Sequence, residues 1–492
     1  MGSPSFDLFA RGGERPPPGA PAPAGGRLQP REWQSRLIQL LRVRLDRAGQ
    51  GDRDVLVHAG PGAGKTLGAL LGFQRMRREG RLERFAVFCH RTSIARQWQA
   101  AAERLGLALA EGDPQQLPAG EGHGLLLSYQ AAARHGGRLL PLLERWRKGG
   151  TWMAIADEVH HLGLDPDEPE ATAWGHAFTL LSGSAQLRLG LSGTPFRADN
   201  LAFCSARRLR VEERGEICER IVPDLCVEPR RLILAGDVRP LEFRFQDGWV
   251  EHGRTPEGEA RETSPLSAEQ RESWRARNLR RAIRLGDRGG IAQRVLLEAR
   301  RCLERVRRDH PGAGGLVIAR TIGHAGRIAT LLAEEGETAL LAHSGDPAAA
   351  ARLAAFQAGA ADWLVSVDMC AEGFDAPRLR VVAYLTTVVT RSRFLQAITR
   401  AVRLDGDRAA VEPVPRRPST VCAPADPLLI AHARTWSLSE PYLIRPRPGA
   451  SETPPGGAAG AGRLPLQALA DAPGEVIRLG GPELPPFLRR PA

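Results

Sequence analysis

Ala59-Gly60-Pro61-Gly62-Ala63-Gly64-Lys65-Thr66 follows the apolar run Val55–Ala59 and precedes the helical pattern LGALLGF. A glycine-rich turn between a strand and a helix lets successive backbone N–H groups curl round a phosphate, and the helix N-terminus adds its dipole. Gly62 and Gly64 supply the turn, Lys65 reaches towards the β- and γ-phosphates, and the Thr66 hydroxyl is a ligand for Mg²⁺. Ala59 stands where such a loop usually begins with glycine, one small residue in place of a smaller one. The chemistry is that of a nucleoside triphosphate site, with ATP and Mg²⁺ as the expected cofactors.

Two further constellations suit the same chemistry. The apolar run from Trp152 ends in the adjacent carboxylates Asp157 and Glu158. At a strand tip Asp157 would hold the Mg²⁺ shell, and Glu158 would orient and deprotonate an attacking water. Later, Gln396, Arg400 and Arg403 fall at i, i+4 and i+7, which predicts one shared helical face. Arginines placed there would stabilise charge on the γ-phosphate in the transition state.

These residues must be positioned by something, and the hydrophobic pattern says what. Short apolar runs alternate with helical patterns, the signature of parallel α/β layers. One series of strands is expected at Val55–Ala59, Phe85–Cys89, Gly124–Ser128, Met153–Ala156 and Leu187–Leu191, and a second at Gly315–Ala319, Thr338–Ala342, Trp363–Val367 and Val381–Leu385. The division this suggests is a disordered Pro/Gly-rich leader over 1–27, a nucleotide-binding domain over 28–225, a basic and largely helical connecting segment over 226–310, a second α/β domain over 311–440, and a Pro/Gly-rich tail over 441–492.

The chain of 492 residues carries a net charge of +12, which suits a polyanionic partner. Only Lys65 and Lys148 are lysines, so nearly all of that positive charge is arginine. The excess is concentrated in 271–308, where 13 arginines face four acids. The plainer reading of that stretch is a solvated linker helix, and the functional one is a contact surface for backbone phosphates. Seven cysteines contain no CxxC pair, which argues against a disulfide framework, a zinc ribbon or a four-cysteine cluster. With no long apolar run and no visible secretory signal, the expected setting is the cytoplasm, away from any membrane.

Taken together, the motifs from Leu28 to Arg403 resemble those of a superfamily 2 DExH helicase or translocase, in its type III restriction-subunit-like branch. The resemblance implies two tandem RecA-like P-loop domains with the ATP site in the cleft between them. Arg31-Glu32-Trp33-Gln34 resembles the upstream adenine-reading element, with Gln34 as the base contact. Ser93 to Trp98, with Ser93 and Gln97, resembles motif Ia, and Ser128-Tyr129-Gln130 a later DNA-contact motif. With Arg320, and with His343 in the motif IVa-like Ala342–Gly345, these are the expected nucleic-acid contacts. Leu191 to Arg197 resembles motif III, so Ser192 and Thr194, together with His160 of DEVH, are expected to couple hydrolysis to domain movement. Val367 to Asp375 resembles motif V, adding Gly373 and Asp375 on the nucleotide side, and Gln396 to Arg403 resembles motif VI. The chain departs from the pattern at His90-Arg91, where relatives have Pro-Thr, at Val367 for Thr, and at Thr399 for Gly.

The expected activity is ATP hydrolysis coupled to movement on DNA, as helicase or duplex translocase. An RNA helicase and a nucleotide-gated DNA-binding subunit of a defence or repair complex are the alternatives. A PD-(D/E)xK nuclease normally needs a lysine beside its metal carboxylates, and neither lysine is placed for it, so any cleavage would belong to a nuclease or repair partner in trans. Ser5-Phe6-Asp7-Leu8-Phe9 loosely resembles a sliding-clamp-binding peptide but lacks the leading Gln.

Overall fold

The computed structural model describes residues 30–47, 53–90, 92–111, 123–148, 150–162, 169–193, 207–213, 216–252, 262–286, 290–367, 376–404, 406–437, 442–444 and 476–479. In chain order the first strands are β1 (Asp54–Ala59), β2 (Arg84–Cys89), β3 (Ala108–Glu111), β4 (His123–Ser128), β5 (Trp152–Asp157) and β6 (Leu187–Ser192). β7 (Arg208–Glu213) and β8 (Glu216–Ile221) pair with each other outside that sheet, and β9 (Leu225–Val227) joins its edge. The sheet order is β3-β4-β2-β5-β6-β1-β9, with every neighbouring pair parallel.

The second sheet begins with β10 (Leu241–Gln246), ahead of an isolated hairpin of β11 (Trp249–His252) and β12 (Glu262–Pro265). It continues with β13 (Gly314–Ala319), β14 (Ala339–Ala342), β15 (Trp363–Ser366), β16 (Leu379–Leu385) and β17 (Ser419–Pro424). β18 (Tyr442–Ile444) extends the β7–β8 pair, and β19 (Val476–Leu479) lies antiparallel on β10. The resulting order is β14-β15-β13-β16-β17-β10-β19. Numbered from its own first strand, each sheet therefore runs 3-4-2-5-6-1 across its six principal strands. The chain holds two tandem α/β domains of one topology.

Strands covered by helices on both faces need apolar residues throughout, and β5, β13 and β16 are buried along their whole lengths. β10 reads LEFRFQ and breaks that rule, which is why 226–310 reads in sequence as a helical connector. Its Arg244 is held by Glu242 from the same strand and by Glu298 from the helix Ile291–Arg307, so the charge is neutralised where it is buried. That helix packs on β16 and β17, and its apolar stripe Val295, Leu296, Ala299 and Leu303 lies in the core of the second domain. The segment thus supplies the first strand and a covering helix of that domain. The expected tail likewise contributes the strands β18 and β19.

Among the described residues no helix is long and apolar enough to cross a membrane. Asp426, fully buried, caps the helix Pro427–Thr435 by accepting from the Leu428 and Leu429 N–H groups, and accepts from Arg275 at 2.9 Å. Asp426→Ala would strand the buried Arg275 and lower stability by ~3–5 kcal/mol. The check is the denaturant midpoint of the second-domain transition.

Candidate functional site

β6 lies between β1 and β5, so the phosphate-loop strand and the acidic strand are separated by one strand. The registers Asp157↔Leu191 and His58↔Ser192 bring the three strand tips level. From that level Lys65, opening the helix Lys65–Arg78, extends its ammonium to 3.6 Å from Glu158 and donates to the Ala59 carbonyl at 3.2 Å. A side chain added at Gly193 would start 3.4 Å from Lys65 Nζ, so the β6 tip passes closely beneath the pair.

The turn itself needs glycine. Gly62 and Gly64 have φ of 78° and 81°, a conformation that L side chains rarely adopt. Glu158 is the only non-glycine residue with positive φ among the described residues, at φ 50° and ψ 57°. Strain at a non-glycine position costs of order 1–3 kcal/mol and persists where its surroundings enforce it. Here the left-handed turn lifts Glu158 out of the strand line and towards Lys65.

Asp157 is held on three sides. Its side chain accepts from the Trp98 indole N–H at 2.7 Å and from the Glu158 N–H at 3.0 Å, and the Tyr129 hydroxyl donates to its carbonyl at 2.6 Å. Burial, and then the Glu158 charge, push the Asp157 carboxyl above the usual carboxylate range, while Lys65 and Trp98 pull it back. Thr66 and Asp157 provide hard oxygen ligands beside a loop shaped for phosphate, a donor set suited to Mg²⁺.

Three residues upstream fasten the loop. Arg31 donates to the carbonyls of Gly62 and Ala63 at 2.9 Å, the Trp33 indole donates to Ala63 at 3.0 Å, and the Gln34 amide donates to Gly64 at 3.1 Å. The resemblance makes Gln34 a base contact, and in this structure its amide is spent on the loop. Arg31 also pairs with Asp237 at 3.2 Å, in the segment leading into the second domain.

The second domain closes over the same turn. A side chain at Gly62 would meet Val238 at 3.0 Å, Val402 at 3.5 Å and Arg403 at 3.6 Å, and the Arg239 N–H donates to the Val402 carbonyl at 2.8 Å. Arg403 therefore reaches the loop, but not on the predicted helical face. The helix Arg391–Ile398 ends five residues earlier, gives way to a tighter turn over Thr399–Val402, and leaves Arg403 extended at ψ 148°. Arg400 is buried within that turn, and Gln396 stays in the helix with its side-chain oxygen buried.

Of the expected nucleic-acid contacts, Arg320 is exposed and His343 half-buried, at the ends of β13 and β14. Gln97 is half-buried in the helix Thr92–Arg104, and Ser128 accepts from the Ala131 N–H at the start of the next helix. Tyr129 is corrected: it is 1% exposed and braces Asp157 instead of facing solvent. Ser192 is fully buried at the β6 tip. The side chains of Ser93 and His160, and Thr194, Gly373, Asp375 and Ser5 to Phe9 as a whole, lie outside the described residues.

Arg31, Trp98 and His90 stand in the sequence motifs without a role of their own, and His58 gives no sequence signal at all. The unusual His90 lays its ring 4.1 Å from that of His161, tying the start of the motif Ia-like segment to the turn after Glu158. Trp98 follows Gln97 directly, and its hydrogen bond links that helix to the acidic pair without an intermediary. Trp98→Phe keeps the bulk and removes the donor, leaving an oxygen of the buried Asp157 without its partner, and should lower stability by ~1–3 kcal/mol. Denaturant midpoints of the two proteins check this.

His58 contacts the Gly193 carbonyl at 3.0 Å and lies between β1 and the β6 tip. Burial chiefly, with Lys65 and Arg391 nearby, drops it from the usual 6.5 to about 4. Below pH 6.5 the unfolded chain takes up a proton that the folded chain refuses until about pH 4, so stability falls as pH falls across that window. The loss amounts to ~3 kcal/mol, and His58→Gln should flatten that part of the profile, read from denaturant midpoints between pH 4 and 7.

Residues 27–197 match the family described as type III restriction enzyme, res subunit, and residues 298–405 match the helicase conserved C-terminal domain. The chain is 35% identical over 388 residues to uncharacterized protein Rv2917 of Mycobacterium tuberculosis, covering 76% of this chain and 59% of that protein. It is 32% identical over 418 residues to uncharacterized protein ML1624 of Mycobacterium leprae, covering 82% and 64%. It thus spans less than two thirds of the length of these curated relatives. Among solved structures, a fragment described as an HsdR subunit of a type I restriction enzyme from Vibrio vulnificus YJ016 has a TM-score of 0.51 at 16% identity, covering 84% of this chain and 67% of that one, a likeness of fold.

Proposed function

Because the chain belongs to the superfamily 2 helicases of restriction-subunit type, a nucleic-acid-acting, helicase-like ATPase, we propose that it is an ATP-driven motor on DNA, a helicase or duplex translocase. The observation that carries the reading is the meeting of Lys65, Glu158 and the β6 tip at one level, with Val402 and Arg403 of the second domain against Gly62. A phosphate loop, a carboxylate for water and arginines from the opposite domain are what hydrolysis requires and what a passive binder can do without.

In this reading the loop N–H groups and Lys65 hold the β- and γ-phosphates. Glu158, freed from Lys65 as the phosphates take that ammonium, orients the attacking water and accepts its proton. Mg²⁺ held by Thr66 and Asp157 would neutralise charge between the β- and γ-phosphates. Arg400 and Arg403 stabilise the charge that develops on the transferred group. Closure and reopening of the two domains then shift their grip on a phosphate backbone. DNA is favoured over RNA by the first-half family, whose description is that of a restriction subunit.

The test is ATP turnover by the purified chain, alone and with duplex DNA, single-stranded DNA or single-stranded RNA. Stimulation by DNA is expected, with Lys65→Ala and Glu158→Gln each lowering turnover by about 10²-fold or more. Stimulation by RNA alone would replace DNA as the track. Nucleotide-dependent DNA binding without turnover would favour the gated-subunit alternative.

A further inference from the structure

Four of the thirteen arginines of the basic stretch form ion pairs within the fold. Arg275 pairs with Asp426, Arg271 with Glu269, Arg300 with Glu335 and Glu337, and Arg307 with Glu337 and Asp362. Their positive charge is matched where it stands and adds little to an outward field. Arg281 and Arg284 differ. Neither has an acidic partner among the described residues, and both line a surface cavity of about 360 Å³ with Leu285, Gly286 and Arg327. Arg327 comes from the other domain-two helix at the rim, Ile322–Glu334, and has no acidic partner among the described residues either.

The cavity is held in shape from below. Thr321 caps that helix by accepting from the His324 N–H at 3.2 Å, and the Arg320 N–H donates to His324 Nδ1 at 3.3 Å. His324 is buried and lies against the backbone at Ile283, so the helix carrying Arg327 packs beside the loop carrying Arg284. Arg281 is half-buried, and its Nε is buried with no hydrogen-bond partner. Three like charges facing one concavity repel one another, and a donor buried without an acceptor is costly. An anion entering the cavity would relieve the repulsion among the three guanidinium groups.

We propose that Arg281, Arg284 and Arg327 form a seat for a backbone phosphodiester of DNA, an anchor on the second domain between the end of the helix Glu272–Ala282 and the helix Ile322–Glu334. The proposal rests on the reading of the chain as a DNA motor. Guanidinium forks match phosphate oxygens two at a time, which three ammonium groups would not do. Arg284 and Arg327 are exposed, so the seat is open at the surface, as a continuous polymer requires.

The test measures affinity of the full chain for labelled duplex and single-stranded DNA across a salt series. The combined Arg281→Ala, Arg284→Ala and Arg327→Ala variant should bind duplex at least tenfold more weakly at low salt. Its slope of log affinity against log salt should fall by about 0.9 for each phosphate that the variant leaves unneutralised. Turnover without nucleic acid should be unchanged, which also reports an intact fold. The corresponding triple lysine variant should recover most of the affinity at low salt, and Arg78→Ala, at the far end of the loop helix, should behave as wild type. Wild-type binding with an unchanged triple alanine variant would overturn this proposal alone. Wild-type protein that neither binds DNA nor responds to it would overturn the motor reading with it. Loss of a second bound ATP per chain in the triple variant, with DNA affinity intact, would assign the seat to a free nucleotide and overturn it too.

Discussion

Lys65 and Glu158 meet because a parallel strand is threaded between the two strands that deliver them. Two strand spacings are roughly 9–10 Å, too wide for short side chains to bridge. A lysine rising from a helix start, and a glutamate turned up by a left-handed residue, close the gap over the β6 tip. The level of that tip is set by the pairings Asp157↔Leu191 and His58↔Ser192. A slip of one residue in either register would turn the side chains of β6 to the other face and move Gly193 from beneath the ion pair. The loop clamps, the Trp98 brace and the approach of Arg403 all presuppose this alignment.

The braces around it share a pattern. Each spends a side chain that could have faced a ligand on holding backbone: Gln34 on Gly64, Tyr129 on Asp157, Arg31 on Gly62 and Ala63. A loop whose carbonyls are tied from behind keeps its N–H groups turned forward, where an anion can use them. Rigidity at the loop is thus built from residues some 30 positions away in sequence, as well as from its own glycines.

Strands with uniformly apolar sequences are legible from the sequence alone, and the nine expected strands all occur with edges shifted by a residue or two. β10 is not, because Glu242 and Arg244 disguise a core strand whose charges are cancelled by each other and by Glu298, a partner 54 residues from Arg244. β17 escapes notice because STVCAP carries a single large aliphatic residue, Val421, among Ser, Thr, Cys, Ala and a terminal proline. The site residues are legible as types and spacings. Sequence spacing does not show that the helix holding Gln396 stops at Ile398, nor that Tyr129 and Trp98 point inward, since these depend on neighbours distant in the chain.

The duplicated strand order carries one asymmetry. β10 occupies in the second sheet the place that β1 holds in the first, yet it runs into Asp247, which accepts from the N–H groups of Gly248 and Ser267 and from the Ser267 hydroxyl. The position that opens into a glycine-rich turn in one half is closed by its own hydrogen bonds in the other. The duplication is therefore one of scaffold and not of site: the halves share a strand order, yet among the described residues only the first carries a loop shaped for phosphate.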